Sequence, residues 1–227
     1  ILAGTSPVAS LRALQPFEFN LSTAELRVAD PSKDLVGLSL TGLPVAWARP
    51  LLGDMAVSGG DIHGEFAGSA RQGGLALRAR TPLTVAHVSL SKAGRPLLQD
   101  VDLTLNAAAD YTPEGWQAQV VEFRIRHGNA TLLLLDAKAG QLAGKVQAVK
   151  ATGRWSADLP EWLSQPVVAG KVQLASGAVQ GDFTASMDGA MAIETKLTMT
   201  NLVPATKERL PEVSAELRAD IAADHHI

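Results

Sequence analysis

Ser58-Gly59-Gly60-Asp61-Ile62-His63-Gly64-Glu65-Phe66 recurs downstream as Ala175-Ser176-Gly177-Ala178-Val179-Gln180-Gly181-Asp182-Phe183. In each copy a small-residue turn leads into an alternating apolar/polar run. Ile62 matches Val179, Gly64 matches Gly181, Glu65 matches Asp182 and Phe66 matches Phe183. Alternation with a period of two is the signature of a strand with one buried face. The echo reaches outward on both sides. Leu43-Pro44, Trp47 and Pro50 are answered by Leu159-Pro160, Trp162 and Pro166, and Asp100-Val101-x-Leu103-x-Leu105 by Glu212-Val213-x-Ala215-x-Leu217. The spacing between matched residues shrinks along the chain, as it does when hairpin loops differ in length. Such self-similarity implies a repeat architecture, with several strands in each unit.

Turn signals divide the chain into strands of about 5–7 residues, each paired with the next as a meander. Phe17 to Leu21, Glu25 to Ala29 and Leu35 to Leu43 come first. Beyond Gly60, strands are expected at Ile62-x-Gly64-x-Phe66, Leu75-x-Leu77-x-Ala79, Leu83-x-Val85, Val88-x-Leu90 and Val101-x-Leu103-x-Leu105. Thr81-Pro82 separates two of these, and Lys92-Ala93-Gly94-Arg95-Pro96 and Thr112-Pro113-Glu114-Gly115 are turns by composition. Val121, Phe123 and Ile125 share one face of the next strand, with Glu122, Arg124 and Arg126 on the other. Gly128-Asn129 turns it into Ala130 to Asp136, followed by Gly140 to Val149 and Thr152 to Ala157. Two short helices interrupt the pattern, one around Trp47 and ended by Pro50, the other at Leu159-Pro160-Glu161-Trp162-Leu163-Ser164 and ended by Pro166. The fold class is all-β: a long antiparallel meander with short helices, built from internal repeats and curled into an open groove or a sandwich-like trough. Residues 1–42 read as strands ending a preceding unit, 43–158 as a first unit and 159–227 as a second, partial one, the whole being a fragment of a larger protein.

Several function classes are disfavoured. The net charge is −3 with both signs scattered, so no basic stripe exists to neutralise phosphates and no nucleic-acid partner is expected. Cysteine is absent, which removes disulfides, zinc-thiolate sites and thiol catalysis. Gly140-Gln141-Leu142-Ala143-Gly144-Lys145 has the wrong glycine spacing for a phosphate loop, and Val146 stands where Ser or Thr is needed. His63, His87 and His127 are scattered without spacing suited to a shared metal, and Asp224-His225-His226 closes the sequence. Asn20-Leu21-Ser22 and Asn129-Ala130-Thr131 match a short sequon that is frequent by chance. Glu65 and Asp182 occupy equivalent positions and read as solvent-facing sheet residues. Aromatics make up 4% of the chain, with one tyrosine, too few for a sugar-stacking platform. No catalytic residue, metal site or cofactor is expected.

What remains is the apolar face: Ile62, Phe66, Leu75, Leu77, Leu83, Val85, Leu103, Leu105, Val179, Phe183, Met191, Ile193 and Met199. It is either an ordinary sandwich core or a groove for acyl chains, where each buried methylene contributes about 0.8 kcal/mol without directional contacts.

Leu43-Pro44 with Trp47 and Pro50, then Ser58-Gly59-Gly60-x-Ile62-x-Gly64-x-Phe66, the Pro82-Leu83 step and Leu97-Leu98-x-Asp100-Val101-x-Leu103 together resemble the repeating unit of the AsmA-like and TamB-like proteins of bacterial envelopes. The resemblance covers 43–109 and 159–221. It implies a long sheet curled into a groove, in a periplasmic segment tethered to the inner membrane by a helix outside this sequence. It also implies a non-catalytic role in carrying phospholipid between membranes for envelope homeostasis. Phospholipid or another acyl-chain lipid is then the expected partner, with envelope proteins as further partners. A structural or assembly scaffold with a packed sandwich core is the alternative, and a carbohydrate-active β-fold enzyme stands third.

Overall fold

The computed structural model describes residues 2–3, 6–20, 25–71, 74–112, 114–141, 148–168, 173–188, 190–204 and 210–221. In chain order it forms β1 (Leu2–Ala3), β2 (Ser6–Pro7), β3 (Ala9–Ala13), β4 (Phe17–Asn20), β5 (Glu25–Val28) and β6 (Asp34–Pro44). A 3₁₀ helix, Val45–Leu51, leads to β7 (Met55–Ser58), β8 (Asp61–Arg71), β9 (Gly74–Lys92), β10 (Arg95–Thr112), β11 (Gly115–His127), β12 (Ala130–Gln141) and β13 (Val149–Asp158). Helix α1 (Leu159–Ser164) then precedes β14 (Leu174–Asp188), β15 (Ala190–Pro204) and β16 (Val213–Ile221).

Among the described residues, a single 12-stranded antiparallel sheet dominates, in the order β16-β15-β14-β13-β12-β11-β10-β9-β8-β6-β3, with β7 pairing β9 at one end. The sheet is not closed into a barrel, and β3 and β16 are its edges. The two remaining pairs, β1 with β2 and β4 with β5, stand apart from it. The meander follows from the turns. At the β9–β10 hairpin Ala93 and Gly94 have φ of 50° and 76°, the left-handed pair that a type I′ turn requires. At the β11–β12 hairpin Gly128 takes φ of 56° at the first central position, as a type II′ turn needs.

The strands are longer than the turn signals suggest. β9 runs 19 residues and β10 runs 18, so Thr81-Pro82 separates no strands. The register of β8 against β9 slips around Thr81 instead, and that of β10 against β9 slips between Leu105 and Ala108. A bulge tolerates the proline's missing N–H as a turn does, so the two leave the same trace in composition. Likewise Ser176-Gly177 lies inside β14, at a register slip against β15, rather than in a turn before it. Val121 falls in a bulge: Asn106 pairs with Glu122 and Ala107 with Val120, so Val121 is the extra residue, and it is exposed. The expected strands from Gly140 to Val149 and from Thr152 to Ala157 become the end of β12 and all of β13, while 142–147 lie outside the described residues. Pro50 sits inside the 3₁₀ helix rather than ending it.

The core gathers at one end of the strands. Val45, Val57, Val85, Val88, Val101, Ile125 and Leu132 form a buried cluster, with Val101 and Leu132 fully enclosed. Trp162 of α1 packs against it. α1 begins at Asp158, whose carboxylate accepts the Glu161 N–H at 3.2 Å, and Pro160 occupies the first turn, where no N–H is missed. Beyond α1 the chain is laid over β10: Gln165, 2% exposed, accepts the Gln99 N–H at 2.9 Å, and the Val167 N–H reaches the Leu97 carbonyl at 3.2 Å. This polar latch closes the cluster without leaving the amide of Gln99 orphaned.

The two echoing stretches hold corresponding places. His87 on β9 and Asn201 on β15 both take left-handed φ, 57° and 55°, and each is followed by a buried apolar residue, Val88 or Leu202. The small-residue stretch of each copy packs there. The Gly60 N–H bonds the Ala86 carbonyl at 2.9 Å, and the Ser176 hydroxyl bonds the Asn201 carbonyl at 2.9 Å. A Cβ on Gly59 would stand 2.5 Å from the His87 carbonyl oxygen, which is why glycine is needed at that corner.

Candidate functional site

Residues directly opposite in a ladder project to the same face, so the registers sort the side chains of the sheet. One row reads Leu77, Ala109, Ala118, Ala139, Ala151, Ala185 and Ile193 from β9 to β15. The next reads Ala107, Val120, Ala137, Gly153, Phe183 and Thr195, and a third Leu83, Leu105, Phe123, Leu135, Trp155, Gly181 and Leu197. Thr195 is no real exception, because its hydroxyl is donated to the Asp182 carbonyl at 2.9 Å. The apolar face therefore continues without a break across the sequence echo, from Leu11 and Leu38 on β3 and β6 to β15 and the beginning of β16.

All of the apolar-face residues expected from the sequence lie on this face, but not in one environment. Ile62, Val85, Leu103 and Val179 belong to the closed end. Val85 is 9% and Val179 5% exposed, and Ile62 and Leu103 pack on the buried cluster. Leu83, Leu105 and Phe183 are half-buried along the middle of the sheet, as are Met199, opposite Val179, and Ile193, in the row of Leu77. At the opposite end Leu75, Leu77 and Met191 are each 38% exposed, alongside exposed Tyr111 and Met187. Between these zones lies an apolar hollow of about 220 Å³, lined by Phe66, Leu77, Ala107, Ala118, Val120 and Ala139 among others. The alanines that floor it were not singled out from the sequence. Their signal was the alternation at Gln117-Ala118-Gln119-Val120 and Ala137-Lys138-Ala139, which is faint because alanine is a poor strand former.

The other face is polar and ordered by charge. Asp136 on β12 stands opposite Arg154 on β13, Arg154 opposite Asp182 on β14, Asp182 opposite Lys196 on β15, and Lys196 opposite Glu216 on β16. Signs alternate along the whole row. Arg154 is 3.5 Å from Asp136, and Lys196 is 3.6 Å from Glu216 and 3.9 Å from Glu194. Asp182 thus has a structural place in a cross-strand ladder, while Glu65 lines a mixed hollow with Arg12, Arg80, Leu14 and Leu38. Nearer β8, Asp110 receives both Arg71, at 3.4 Å, and Arg78, at 3.2 Å.

His87 is 2.7 Å from Asp100 through Nδ1, while its backbone N–H donates to the Asp102 carboxylate at 3.0 Å. The hydrogen bond to Asp100, followed by the charges of Asp100 and Asp102, raises the His87 pKa above its ordinary value. His127 lies 3.4 Å from Glu161 of α1, and His63 is an exposed residue of β8. Among the described residues no three His, Asp or Glu side chains converge as a metal site would require. Asp224-His225-His226, Ser22 of the first sequon and 142–145 of the rejected phosphate loop lie outside the described residues.

Fold and site together define a class: an open antiparallel meander with one apolar face and one charge-laddered face, closed among the described residues by short helices at one end of its strands. Comparison with family models, with curated proteins and with solved structures gave no match. Among the described residues no helix is long and apolar enough to cross a membrane.

Proposed function

We infer that the apolar face binds the acyl chains of phospholipid or a similar lipid, and that the chain is a non-catalytic, groove-forming segment of an AsmA-like periplasmic protein. The observation that carries this reading is the unbroken succession of apolar side chains from β6 to β15 on a sheet that is not closed into a barrel. A packed sandwich would cover that face with a second sheet. Here Leu75, Leu77, Tyr111, Met187 and Met191 remain exposed on it, a surface of the kind that marks an interaction site. The lining suits a chain of methylenes. It is aliphatic and small, with the polar groups turned to the opposite face, and transfer of acyl methylenes onto it is favourable without directional bonds. The resemblance of the Leu-Pro, Trp and Gly-rich motifs to the AsmA-like unit supplies the envelope setting and the tether.

The test is native mass spectrometry and lipid extraction on the purified chain, with uptake from phospholipid vesicles measured alongside. Co-purifying or acquired lipid is expected in the parent protein. It should be lost in Leu77→Asp and Ile193→Asp while circular dichroism stays strand-rich. A protein that carries none and takes none from vesicles would instead favour a scaffold whose apolar face meets protein.

A further inference from the structure

We propose that a shallow hollow on the polar face between β9 and β13 is a site for a phosphate group, held by Lys138 and Lys150 with Arg78, the amide of Gln119 and the hydroxyl of Thr152 around it.

The argument begins with how the polar face disposes its charge. Arg154 stands opposite Asp136 and Asp182, and Lys196 opposite Asp182 and Glu216, so each of these cations has an acid on both sides. Lys138 and Lys150 have none. Lys138 stands opposite Gln119 and Thr152, and Lys150 opposite Gly140 and Ser186. Both lysines are exposed, and among the described residues neither takes part in an ion pair. They also share one spot. Lys150 lies two residues before Thr152, the residue opposite Lys138, which makes the lysines diagonal neighbours about 7–8 Å apart and within reach of each other's long side chains. Two like charges so placed repel. An anion between them converts that repulsion into two attractions.

The surroundings choose the anion. The hollow measures about 530 Å³, and its lining sets Arg78, Lys138 and Lys150 against a single acid, Asp110. That acid is already engaged by Arg71 at 3.4 Å and by Arg78 at 3.2 Å. Ala108 stands opposite both Arg78 and Gln119, and Gly140 opposite both Gln117 and Lys150, so two small residues keep the floor low between longer side chains. The free donors come from three adjacent strands: the amides of Gln117 and Gln119 on β11, the ammonium of Lys138 on β12, and the ammonium of Lys150 and hydroxyl of Thr152 on β13. A carboxylate offers two oxygens in one plane. A phosphate offers three or more in different directions, and lysines serve it as point charges without a fixed fork. Ala137 and Ala139, on either side of Lys138, belong to the apolar rows of the opposite face. An anion here therefore does not compete with an acyl chain there, and the two readings stand or fall separately.

Titration of the whole chain with inorganic phosphate at fixed ionic strength, balanced with chloride and followed by amide NMR, is the test. Saturable shifts are expected at Gln119, Lys138, Lys150 and Thr152. Lys138→Gln and Lys150→Gln should each weaken phosphate binding roughly threefold or more, and the double variant should show no saturation. Lys138→Arg should keep most of the affinity. Lys92→Gln, on β9 beside Asp54, should change nothing. The lysines are exposed, so circular dichroism of all variants should match the parent. Co-sedimentation with vesicles of phosphatidylcholine, with and without phosphatidylglycerol, identifies the source of the phosphate. Binding to the anionic vesicles that falls in the same Gln variants and is competed by inorganic phosphate assigns the site to a lipid headgroup. Phosphate binding without vesicle binding assigns it to free phosphate or a small phosphate ester. No saturation by phosphate in the parent protein, shifts that chloride reproduces, or an affinity unchanged in both Gln variants would each overturn the proposal.

Discussion

Trp155 stands directly opposite Gly181 across the β13–β14 ladder, and its indole lies 3.0 Å from the place a Cβ of Gly181 would occupy. One pair along, the relation is reversed: Phe183 lies over Gly153, with ring carbons 2.5 and 2.8 Å from the position of the missing Cβ. Two aromatic rings thus fill the space that two glycines leave, on the apolar face where the echo begins its second copy. Gly181→Ala should therefore destabilise by about 1–3 kcal/mol, the usual cost of overpacking a fitted contact. Trp155→Ala should fail to rescue it, because the Lys196 carbonyl oxygen also stands 2.5 Å from the new methyl and backbone cannot step aside. Urea unfolding of the two single variants and the double variant measures both effects.

The two ends of the strands should respond differently to truncation. Leu132 is wholly buried, so Leu132→Ala should cost about 2–5 kcal/mol. Leu77 is 38% exposed, and Leu77→Ala should cost about 1 kcal/mol or less. Equal losses in chemical denaturation would mean that the face is covered at both ends.

His87 should titrate above its ordinary value near 6.5, and Asp100→Asn should bring it back down. The substitution is clean because Asp100 holds φ of 52°, a conformation asparagine also accepts. Since the folded pKa is raised, the stabilisation from this pair is fully present below the unfolded pKa and fades as pH rises through the folded one. Proton NMR of the imidazole across neutral pH follows the shift, and the Asn variant should lose the corresponding drift in stability.

Lys196→Glu should lower stability by about 1 kcal/mol or less in low salt, since the side chains concerned are well exposed and the solvent screens them. It sets a carboxylate opposite Asp182 and Glu216 and beside Glu194, so added salt should recover most of the loss. Thermal melts at two ionic strengths check the sign and the recovery.

How much of this was legible in the sequence depends on how local the determining physics is. Alternation at Ile62, Gly64 and Phe66, and at Val179, Gly181 and Phe183, reports strand and face directly, and both copies lie where the pattern puts them. Strand ends were legible where a turn needs left-handed residues, as at Gly94 and Gly128. They were misplaced at Thr81-Pro82 and at Ser176-Gly177, because a bulge and a turn call for the same residues and only the partner strand tells them apart. The apolar-face residues were legible as a set, but the division between buried Val85 and Val179 and exposed Leu75 and Met191 was not. That division is made by α1 and the segment after it folding back on β10, a contact between residues such as Gln165 and Gln99 that no periodicity announces. The charge ladder was equally hidden, since its members come from five strands and meet only once the register is known.

From β8 onward every ladder but the short one to β7 joins strands that follow one another along the chain. Inserting or deleting one hairpin would therefore change the width of the sheet by two strands, about 10 Å, and leave the remaining ladders as they are. The span of the apolar face is in this sense a countable trait. Descent can lengthen or shorten it in whole steps, as a ladder is extended by rungs, without redesigning what is already built.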